Sequence, residues 1–293
     1  MNSLNENEKF DSTNMDGKIS IVTGANSGIG KQTAKELANM GARVIMVCRS
    51  RGRGEKAYQD IMADNSNAQL DLMFCDLSSF SQMRQFVEDF QTKYDSLQLL
   101  INNAGIYHSK YKESEDGVAM MMAVNHFSPF LLTDLLQPML KANPPSRIIN
   151  VNSGLHKMAK LDEEDLKNLN KCKKTGMKGY GISKFANLLT IYYRAKQLEG
   201  SGVTINAVSP GMVKTGIARH SLLAKIFWTL IGPFIKTAEE GAKPVLYLAT
   251  SPELEDLSGK YFDQFEMAES SKLSYKDELQ KEMWEISKKI VGL

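Results

Sequence analysis

Tyr180 and Lys184 are the two side chains whose types and spacing most directly suggest chemistry. They stand four residues apart in a pattern that predicts a helix over residues 180–198, so they share one helix face. A phenol with its ordinary pKa of about 10 is a poor acid or base at neutral pH, but a neighbouring ammonium lowers that pKa. The pair could therefore transfer protons, although Tyr–Lys pairs at this spacing are common on helices and usually have no function.

Two further polar residues could assist such a proton transfer. Ser153 follows a strand predicted over residues 147–151, where a hydroxyl can hold a carbonyl or alkoxide oxygen during hydride transfer. Asn125 lies in a helical pattern over residues 117–140, and asparagine is a mediocre helix former. Asn125 could therefore order a water molecule, or it could be an ordinary exposed asparagine.

A glycine-rich segment predicts a site for a dinucleotide. It joins a strand predicted over residues 18–23 to a helix predicted over residues 30–40. Its glycines permit a tight turn and a close approach to a pyrophosphate, and the helix N-terminus adds free N–H groups and a positive dipole end. The glycine spacing differs from the more familiar G-x-G-x-x-G, and a plain turn is the alternative. The candidate contacts are Thr23, Gly24, Asn26, Ser27, Gly28, Ile29 and Gly30.

The end of the next strand, predicted over residues 43–48, indicates which dinucleotide would bind. NAD sites tend to place an acidic residue about 20 residues past the glycines, where it bonds to the adenosine ribose. Here Arg49 takes that place and no acid does. A guanidinium can hold a phosphate through forked, charge-assisted hydrogen bonds. Arg49 therefore predicts NADP(H), the alternative being a surface arginine at a strand end.

Two more strand ends carry polar or small residues. Asp76 and Leu77 follow a strand predicted over residues 69–75, and Asn103, Ala104 and Gly105 follow one over residues 98–101. The carboxyl ends of parallel strands line the cofactor crevice of an open sheet, where Asp76 could accept a bond from an adenine amino group. Both segments are also ordinary turn sequences.

The elements that must position these residues alternate along the chain. Strands, including one over residues 203–208, alternate with helices near residues 55–62 and 81–93. This order predicts an α/β fold with a doubly wound parallel sheet and helices on both faces. We expect a flexible tail over residues 1–16, one domain over residues 17–293, and an amphipathic helix near residues 278–290.

Composition narrows the function classes. A net charge of +2 gives no sign of nucleic-acid binding, and the four histidines lack metal-ligand spacing. Three cysteines form no disulfide framework, which favours a reducing compartment such as the cytoplasm. From its polar N-terminus we expect neither a signal peptide nor a membrane anchor. The apolar segment 222–235 is too short to span a membrane. Three roles are possible for it: part of a lid near residues 215–237 over an apolar substrate, plain helix packing, or an interfacial membrane helix. Self-association of the chain is a further possibility.

The ordered set of motifs resembles the short-chain dehydrogenase/reductase family over about residues 17–265. The motifs are segments 23–30 and 102–105, Asn125, Ser153, the Tyr180/Lys184 pair, and Pro210 with Gly211. The resemblance implies a Rossmann fold with seven parallel strands, proton transfer by Tyr180, ribose binding by Lys184, substrate orientation by Ser153 and a relay water at Asn125. It also implies nicotinamide-side contacts from Pro210, Gly211, Val213 and Thr215.

Within that family the chain looks most like the retinol dehydrogenase branch, on segments 41–44, 155–179 and 180–187 together with Cys48 and Arg49. That branch is often NADP-preferring and membrane-anchored. For this chain we expect no N-terminal anchor, and it has Asn152 where Ser is frequent, a change we expect to be tolerated. The resemblance implies an NADPH-dependent reductase of lipophilic, retinal-like aldehydes or ketones. Oxidation of a sterol or retinoid alcohol is one alternative. A catalytically weak NADP-binding sensor or interaction protein is another, although the intact catalytic set argues against it.

Overall fold

A single eight-stranded sheet forms the centre of the molecule. The computed structural model describes residues 14–161, 163–213 and 236–293, and within them the strand order is β3-β2-β1-β4-β5-β6-β7-β8. The first seven strands pair in parallel, as predicted, while the two-residue β8 pairs antiparallel with β7. The strands are β1 (Ile19–Thr23), β2 (Arg43–Cys48), β3 (Leu70–Phe74), β4 (Leu99–Asn102), β5 (Ser146–Val151), β6 (Val203–Ser209), β7 (Tyr261–Asp263) and β8 (Glu266–Met267).

Helices connect the strands and cover both faces of the sheet, which confirms the doubly wound α/β Rossmann fold. The helices are α1 (Gly28–Asn39), α2 (Arg51–Asp64), α3 (Phe80–Lys93), α4 (Met120–Met122), α5 (Ser128–Ala142), α6 (Glu163–Lys167), α7 (Gly176–Gln197), α8 (Ala238–Thr250) and α9 (Asp277–Val291). A π-helical turn, Ala123–Phe127, joins α4 to α5. The helix predicted over residues 117–140 is therefore not continuous, because one wider turn interrupts it.

The two faces of the sheet bury two separate apolar layers. In β2, Ile45 and Val47 belong to the layer with the apolar side chains of α3, α5 and α7. Val44 and Met46 belong to the opposite layer, with those of α1, α2 and α8. Because both faces are covered, the central strands β1, β4, β5 and β6 are buried at nearly every position rather than at alternate ones. Helix α9 packs on α7 and closes the first layer from outside.

The parallel register brings the carboxyl ends of the central strands to one edge. Val22 of β1 pairs with Ile101 of β4, and Val151 of β5 pairs with Val208 of β6. The segments that follow these four strands therefore lie side by side, at the edge where open sheets bind ligands. The described candidate site residues outside α7 and the π turn end a strand or follow one at this edge.

Candidate active site

Thr23 fixes the glycine-rich loop to the end of β4. Its hydroxyl oxygen accepts hydrogen bonds from the backbone N–H groups of Asn103 and Ala104, both at 3.0 Å. The Asn103 amide nitrogen donates in return to the Thr23 carbonyl at 2.8 Å. Thr23 is 2% exposed, so the structure gives its side chain a positioning role between β1 and β4.

The glycines of the loop let its backbone pack closely against the segment after β4. Gly24 and Gly28 have φ values of 68° and 58°, a region that L-residues rarely adopt. A Cβ on Gly30 would lie 2.3 Å from the Asn103 amide nitrogen and 2.6 Å from the Gly24 carbonyl oxygen. Ser27 precedes α1 without capping it through its side chain, and the first turn of α1 holds no acidic residue. The loop and the helix N-terminus therefore fit a pyrophosphate group.

Arg49 and Asp76 meet at the ends of β2 and β3. An Nη1 atom of Arg49 lies 4.0 Å from Oδ2 of Asp76, and the arginine side chain is 57% exposed. The other carboxylate oxygen of Asp76 accepts hydrogen bonds from the N–H and hydroxyl of Ser78, at 3.0 and 2.7 Å. Arg49 is thus a largely exposed guanidinium at the position predicted for phosphate recognition. Leu77, by contrast, is buried.

Asn125 occupies the π turn and joins three segments. Its Oδ1 accepts from Ile106 N–H at 2.8 Å, and its Nδ2 donates to the Ile106 carbonyl and the Ser183 hydroxyl, both at 3.0 Å. Asn187 of α7 donates to the Asn125 backbone carbonyl at 2.9 Å. Asn125 is only 1% exposed, which overturns the interpretation as an ordinary surface asparagine. A π turn is a common feature of functional sites, and here it aims Asn125 at the loop after β4.

Lys184 and Tyr180 lie on adjacent turns of α7. The Lys184 Nζ atom lies 5.7 Å from the centre of the Tyr180 ring and donates to the Val151 carbonyl, at the end of β5, at 2.7 Å. Burial lowers the pKa of Lys184 to about 8 and raises the pKa of Tyr180 to about 12. In the protein without cofactor, burial therefore outweighs any lowering of the tyrosine pKa by the ammonium. Lys184 is bonded to a carbonyl rather than to the phenol, and burial dominates.

Ser153 begins a 3₁₀ turn, Gly154–Met158, that packs on α7 next to Tyr180. Its hydroxyl oxygen accepts from the Leu155 N–H at 3.3 Å. A Cβ on Gly181 would lie 2.7 Å from the Leu155 carbonyl oxygen, so the turn and the helix backbone are in direct contact. The structure therefore brings the serine turn against the tyrosine helix.

Asn152 and Gly105 complete the junction around Lys184. Asn152, which stands where serine was the more familiar residue, donates from Nδ2 to the Lys184 carbonyl at 3.1 Å. A Cβ on Gly105 would lie 3.6 Å from both the Lys184 Nζ and the Asn125 Oδ1. The ends of β4 and β5, the π turn and α7 therefore converge on one small polar centre.

The segment after β6 closes the described part of the site. Pro210 and Gly211 follow β6 directly, and Gly211 has a φ of 81°. Val213 is buried and pairs with Lys236 across a parallel bridge. Thr215 lies outside the described residues, as does nearly all of the predicted lid segment 215–237.

Three residues near the proposed catalytic set were given no role of their own from the sequence. The Tyr107 ring lies 6.3 Å from the Tyr180 ring, and Ser183 donates to the Tyr180 carbonyl at 2.8 Å. His156 lies 2.7 Å from the Ser153 carbonyl oxygen through its Nδ1. The sequence could have indicated the contact of His156 with Ser153, because a turn brings residues three positions apart together.

Within the described ranges, no helix is long and apolar enough to cross a bilayer. This finding concerns residues 14–161, 163–213 and 236–293, and the apolar segment 222–235 is not among them.

Comparison of the sequence with known proteins finds similarity to short chain dehydrogenases over most of the chain. The short chain dehydrogenase family model matches residues 18–163. Retinol dehydrogenase 12 of Homo sapiens is 40% identical over 279 residues, with 94% of this chain and 87% of that protein covered. Retinol dehydrogenase 14 of Mus musculus is 39% identical over 293 residues, with 95% and 87% covered.

Solved structures share the same fold. An uncharacterised protein of Mycobacterium paratuberculosis superposes with a TM-score of 0.76 at 28% identity, covering 97% of each chain. The RhlG protein of Pseudomonas aeruginosa, solved as an active-site complex with NADP, has a TM-score of 0.69 at 25% identity, covering 85% of this chain and 95% of that one.

Proposed function

The chain belongs to the short-chain dehydrogenase family, and on that premise we propose that it reduces the carbonyl group of a lipophilic small molecule with NADPH. Oxidoreductases of this family act on CH–OH or C=O groups with a nicotinamide dinucleotide. The observation that carries the proposal is the convergence of Tyr180, Lys184 and the Ser153 turn at the carboxyl edge of the sheet.

The proposed roles follow from the protonation states of the two α7 side chains. A bound nicotinamide supplies the hydride. At neutral pH Tyr180 keeps its proton, because burial raises its pKa to about 12, and it donates that proton to the substrate oxygen. Lys184, with a pKa of about 8, is mostly charged at neutral pH and would bind the nicotinamide ribose. The Ser153 hydroxyl would hold the substrate oxygen in line with the tyrosine.

The raised pKa of Tyr180 suits its proposed role as the acid in carbonyl reduction. Reduction uses the protonated phenol, whereas alcohol oxidation needs a phenolate as base. Burial raises the pKa of Tyr180 to about 12, so the phenolate is scarce at neutral pH. Asn125 would act by keeping α7 and the loop after β4 in place, and the relay water proposed for it would bind beside this junction.

The preference for NADP(H) rests on Arg49. Its guanidinium is more than half exposed at the end of β2, where a 2′-phosphate would be held by charge-assisted bonds. Asp76, 4.0 Å away, would turn the guanidinium toward the adenosine end and accept a bond from adenine. The structural relative crystallised with NADP is in keeping with this proposal.

A lipophilic substrate is supported by apolar side chains around the site. Met158 ends the serine turn, Met177 lies in the first turn of α7, and Met212 follows Gly211, and each is more than half exposed. Methionine is flexible and apolar, and it adapts to irregular hydrophobic ligands. The relatives named retinol dehydrogenases support a retinoid-like substrate as the first to be tried.

We place the protein in a reducing compartment, the cytoplasm being the simplest choice. Cys48, Cys75 and Cys172 are all buried free thiols, and burial raises the pKa of Cys48 to about 11. Such thiols are poor nucleophiles and make no disulfide. Peripheral membrane contact and self-association stay predictions from the sequence.

A Tyr180→Phe variant tests the proposed function. The ring still packs but cannot donate a proton, so turnover should fall at least about 100-fold. NADPH binding, measured by its fluorescence, should stay within about twofold of the wild type. The substrates are a panel of lipophilic aldehydes and ketones, with NADPH absorbance as the readout. Full activity in the variant, or no activity of the wild type on any carbonyl, would refute the proposal.

A further inference from the structure

His156 lies three residues after Ser153 and is completely buried. Its Nδ1 lies 2.7 Å from the Ser153 carbonyl oxygen, and its Nε2 accepts from the Ser271 backbone N–H at 3.2 Å. A carbonyl oxygen can only accept and a backbone N–H can only donate. The ring is therefore neutral, with its proton on Nδ1, and bonds at both nitrogens fix its orientation.

The segment that holds the far side of this ring is itself anchored to α7. Ser270 accepts a hydrogen bond from the Tyr192 hydroxyl at 2.7 Å, and its N–H donates to the Tyr275 hydroxyl at 3.0 Å. The Tyr192 and Tyr275 rings stack with centres 5.3 Å apart. Ser271 is thus a fixed point, although it lies 115 residues from His156 in the chain.

The serine turn is held from two directions. On one side Gly181 of α7 contacts the Leu155 carbonyl, and on the other side His156 ties the Ser153 carbonyl to Ser271. Among the described residues, the Ser153 hydroxyl has one hydrogen bond, a long one of 3.3 Å from the Leu155 N–H within the same turn. Its location therefore depends on where the backbone of the turn is held.

We propose that His156 is a positioning residue for the Ser153 hydroxyl, anchored by the backbone N–H of Ser271. This role rests on the proposed function, because it takes Ser153 as the group that holds the substrate oxygen. His156 acts only through the Ser153 carbonyl and its ring bridges two backbone groups. Burial and the nearby Lys157 lower the pKa of His156, while the Ser153 carbonyl and Asp263 oppose that shift. The Tyr261 ring packs against the His156 ring. The bridging neutral form therefore persists at neutral pH.

Ser271 tests the anchor because its φ of −60° already suits proline. Ser271→Pro replaces the anchoring N–H by the pyrrolidine Cδ, which both removes the hydrogen bond and pushes the His156 ring away from Ser271, whereas Ser271→Ala keeps the N–H. We expect Ser271→Pro to lower kcat about tenfold or more through loss of positioning, with the KM for NADPH unchanged. Ser271→Ala should keep the wild-type kcat.

Two variants of the ring itself separate positioning from packing. Asparagine places an amide N–H close to the site of Nδ1, whereas phenylalanine keeps the ring and removes both nitrogens. His156→Asn should therefore retain more kcat than His156→Phe. Ser146→Ala is the stability control: it removes the buried 2.6 Å hydrogen bond to the Asn143 carbonyl at the amino end of β5, the edge of the sheet opposite the site, and should lower the Tm without lowering kcat.

The outcomes distinguish the role of His156 from the function of the enzyme. An active wild type with Ser271→Pro and His156→Phe both at full kcat would overturn the positioning role alone. Equal losses of kcat in the proline and alanine variants, in proportion to Tm, would also overturn it by showing a merely structural effect. A wild type inactive on every carbonyl would refute the proposed function, and the positioning role with it.

Discussion

Gly181 lies inside α7, where alanine would favour the helix by about 1 kcal/mol over glycine. The structure gives a reason for the glycine, since a Cβ there would lie 2.7 Å from the Leu155 carbonyl oxygen. That atom is backbone, so it cannot move aside as a flexible side chain would. Gly181→Ala must therefore displace the turn that carries Ser153, and we expect the substitution to damage catalysis more than folding.

The magnitude follows from the size of the overlap. Ordinary van der Waals contact begins at 3.4 Å, so the turn must move by roughly 0.5–1 Å, and overpacking of this kind costs about 1–3 kcal/mol. The gain in helix propensity offsets about 1 kcal/mol of it. A displacement near 1 Å of a catalytic group can lower the rate about 100-fold. We therefore expect a 10- to 100-fold lower kcat with a small decrease in Tm.

Gly154 supplies the matched control, since it lies in the same turn, next to Ser153, and a Cβ there would have nothing within 4 Å. Gly154→Ala should keep the wild-type kcat. Both variants are assayed by NADPH consumption with the best lipophilic aldehyde, and their Tm values by thermal denaturation. Full activity in Gly181→Ala, or an equal loss in Gly154→Ala, would show that the contact with α7 does not position Ser153.

Two further predictions concern the cofactor and the acid stability. Arg49→Asp should raise the KM for NADPH at least about tenfold and shift the preference toward NADH, because a carboxylate repels the 2′-phosphate. Arg51→Ala is the control and should keep the NADPH preference, since Arg51 stacks on Phe74. An unchanged ratio of NADPH to NADH activity in Arg49→Asp would exclude Arg49 from phosphate recognition. His126 is buried with a pKa lowered to about 3, so it stays neutral in the folded protein while the unfolded chain takes up a proton near pH 6.5. Stability from this residue is complete above pH 6.5 and falls as the pH drops toward 3, by up to about 1.4 kcal/mol per pH unit. Urea denaturation at pH 7 and pH 5 should show a loss about 2 kcal/mol larger in the wild type than in His126→Gln, and equal losses would contradict the assignment.

The strands and the chemistry-bearing motifs were predictable from local patterns. Short, mostly apolar runs marked β1 to β6 within one or two residues, because strands buried on both faces carry few polar residues in sequence. Strand β7 has three residues and no such run, and it forms because β6 offers it an edge. The π turn was also missed, since a wider turn barely changes an apolar pattern.

The environment of Tyr180 could not be predicted from spacing. The four-residue separation places Lys184 on the same helix face, and the structure agrees. The spacing does not show that the Val151 carbonyl accepts a hydrogen bond from the Lys184 Nζ atom at 2.7 Å. It also does not show that burial raises the pKa of Tyr180 to about 12. Both depend on β5 and on the layers that cover the site, which are far from α7 in the sequence.

Most polar side chains around the site bond to one another or to the backbone. Thr23 holds β4, Asn125 holds the loop after β4 and Ser183, and Asn152 holds Lys184 through its carbonyl. A buried amide that is fully bonded costs little to keep and resists displacement. Such residues therefore hold the site in place rather than take part in the reaction. A sequence motif contains both the residues that position the site and the residues that react, and only their hydrogen-bond partners distinguish the two kinds. The proposed role of His156 therefore rests on its hydrogen bond with Ser271, which is distant in the sequence.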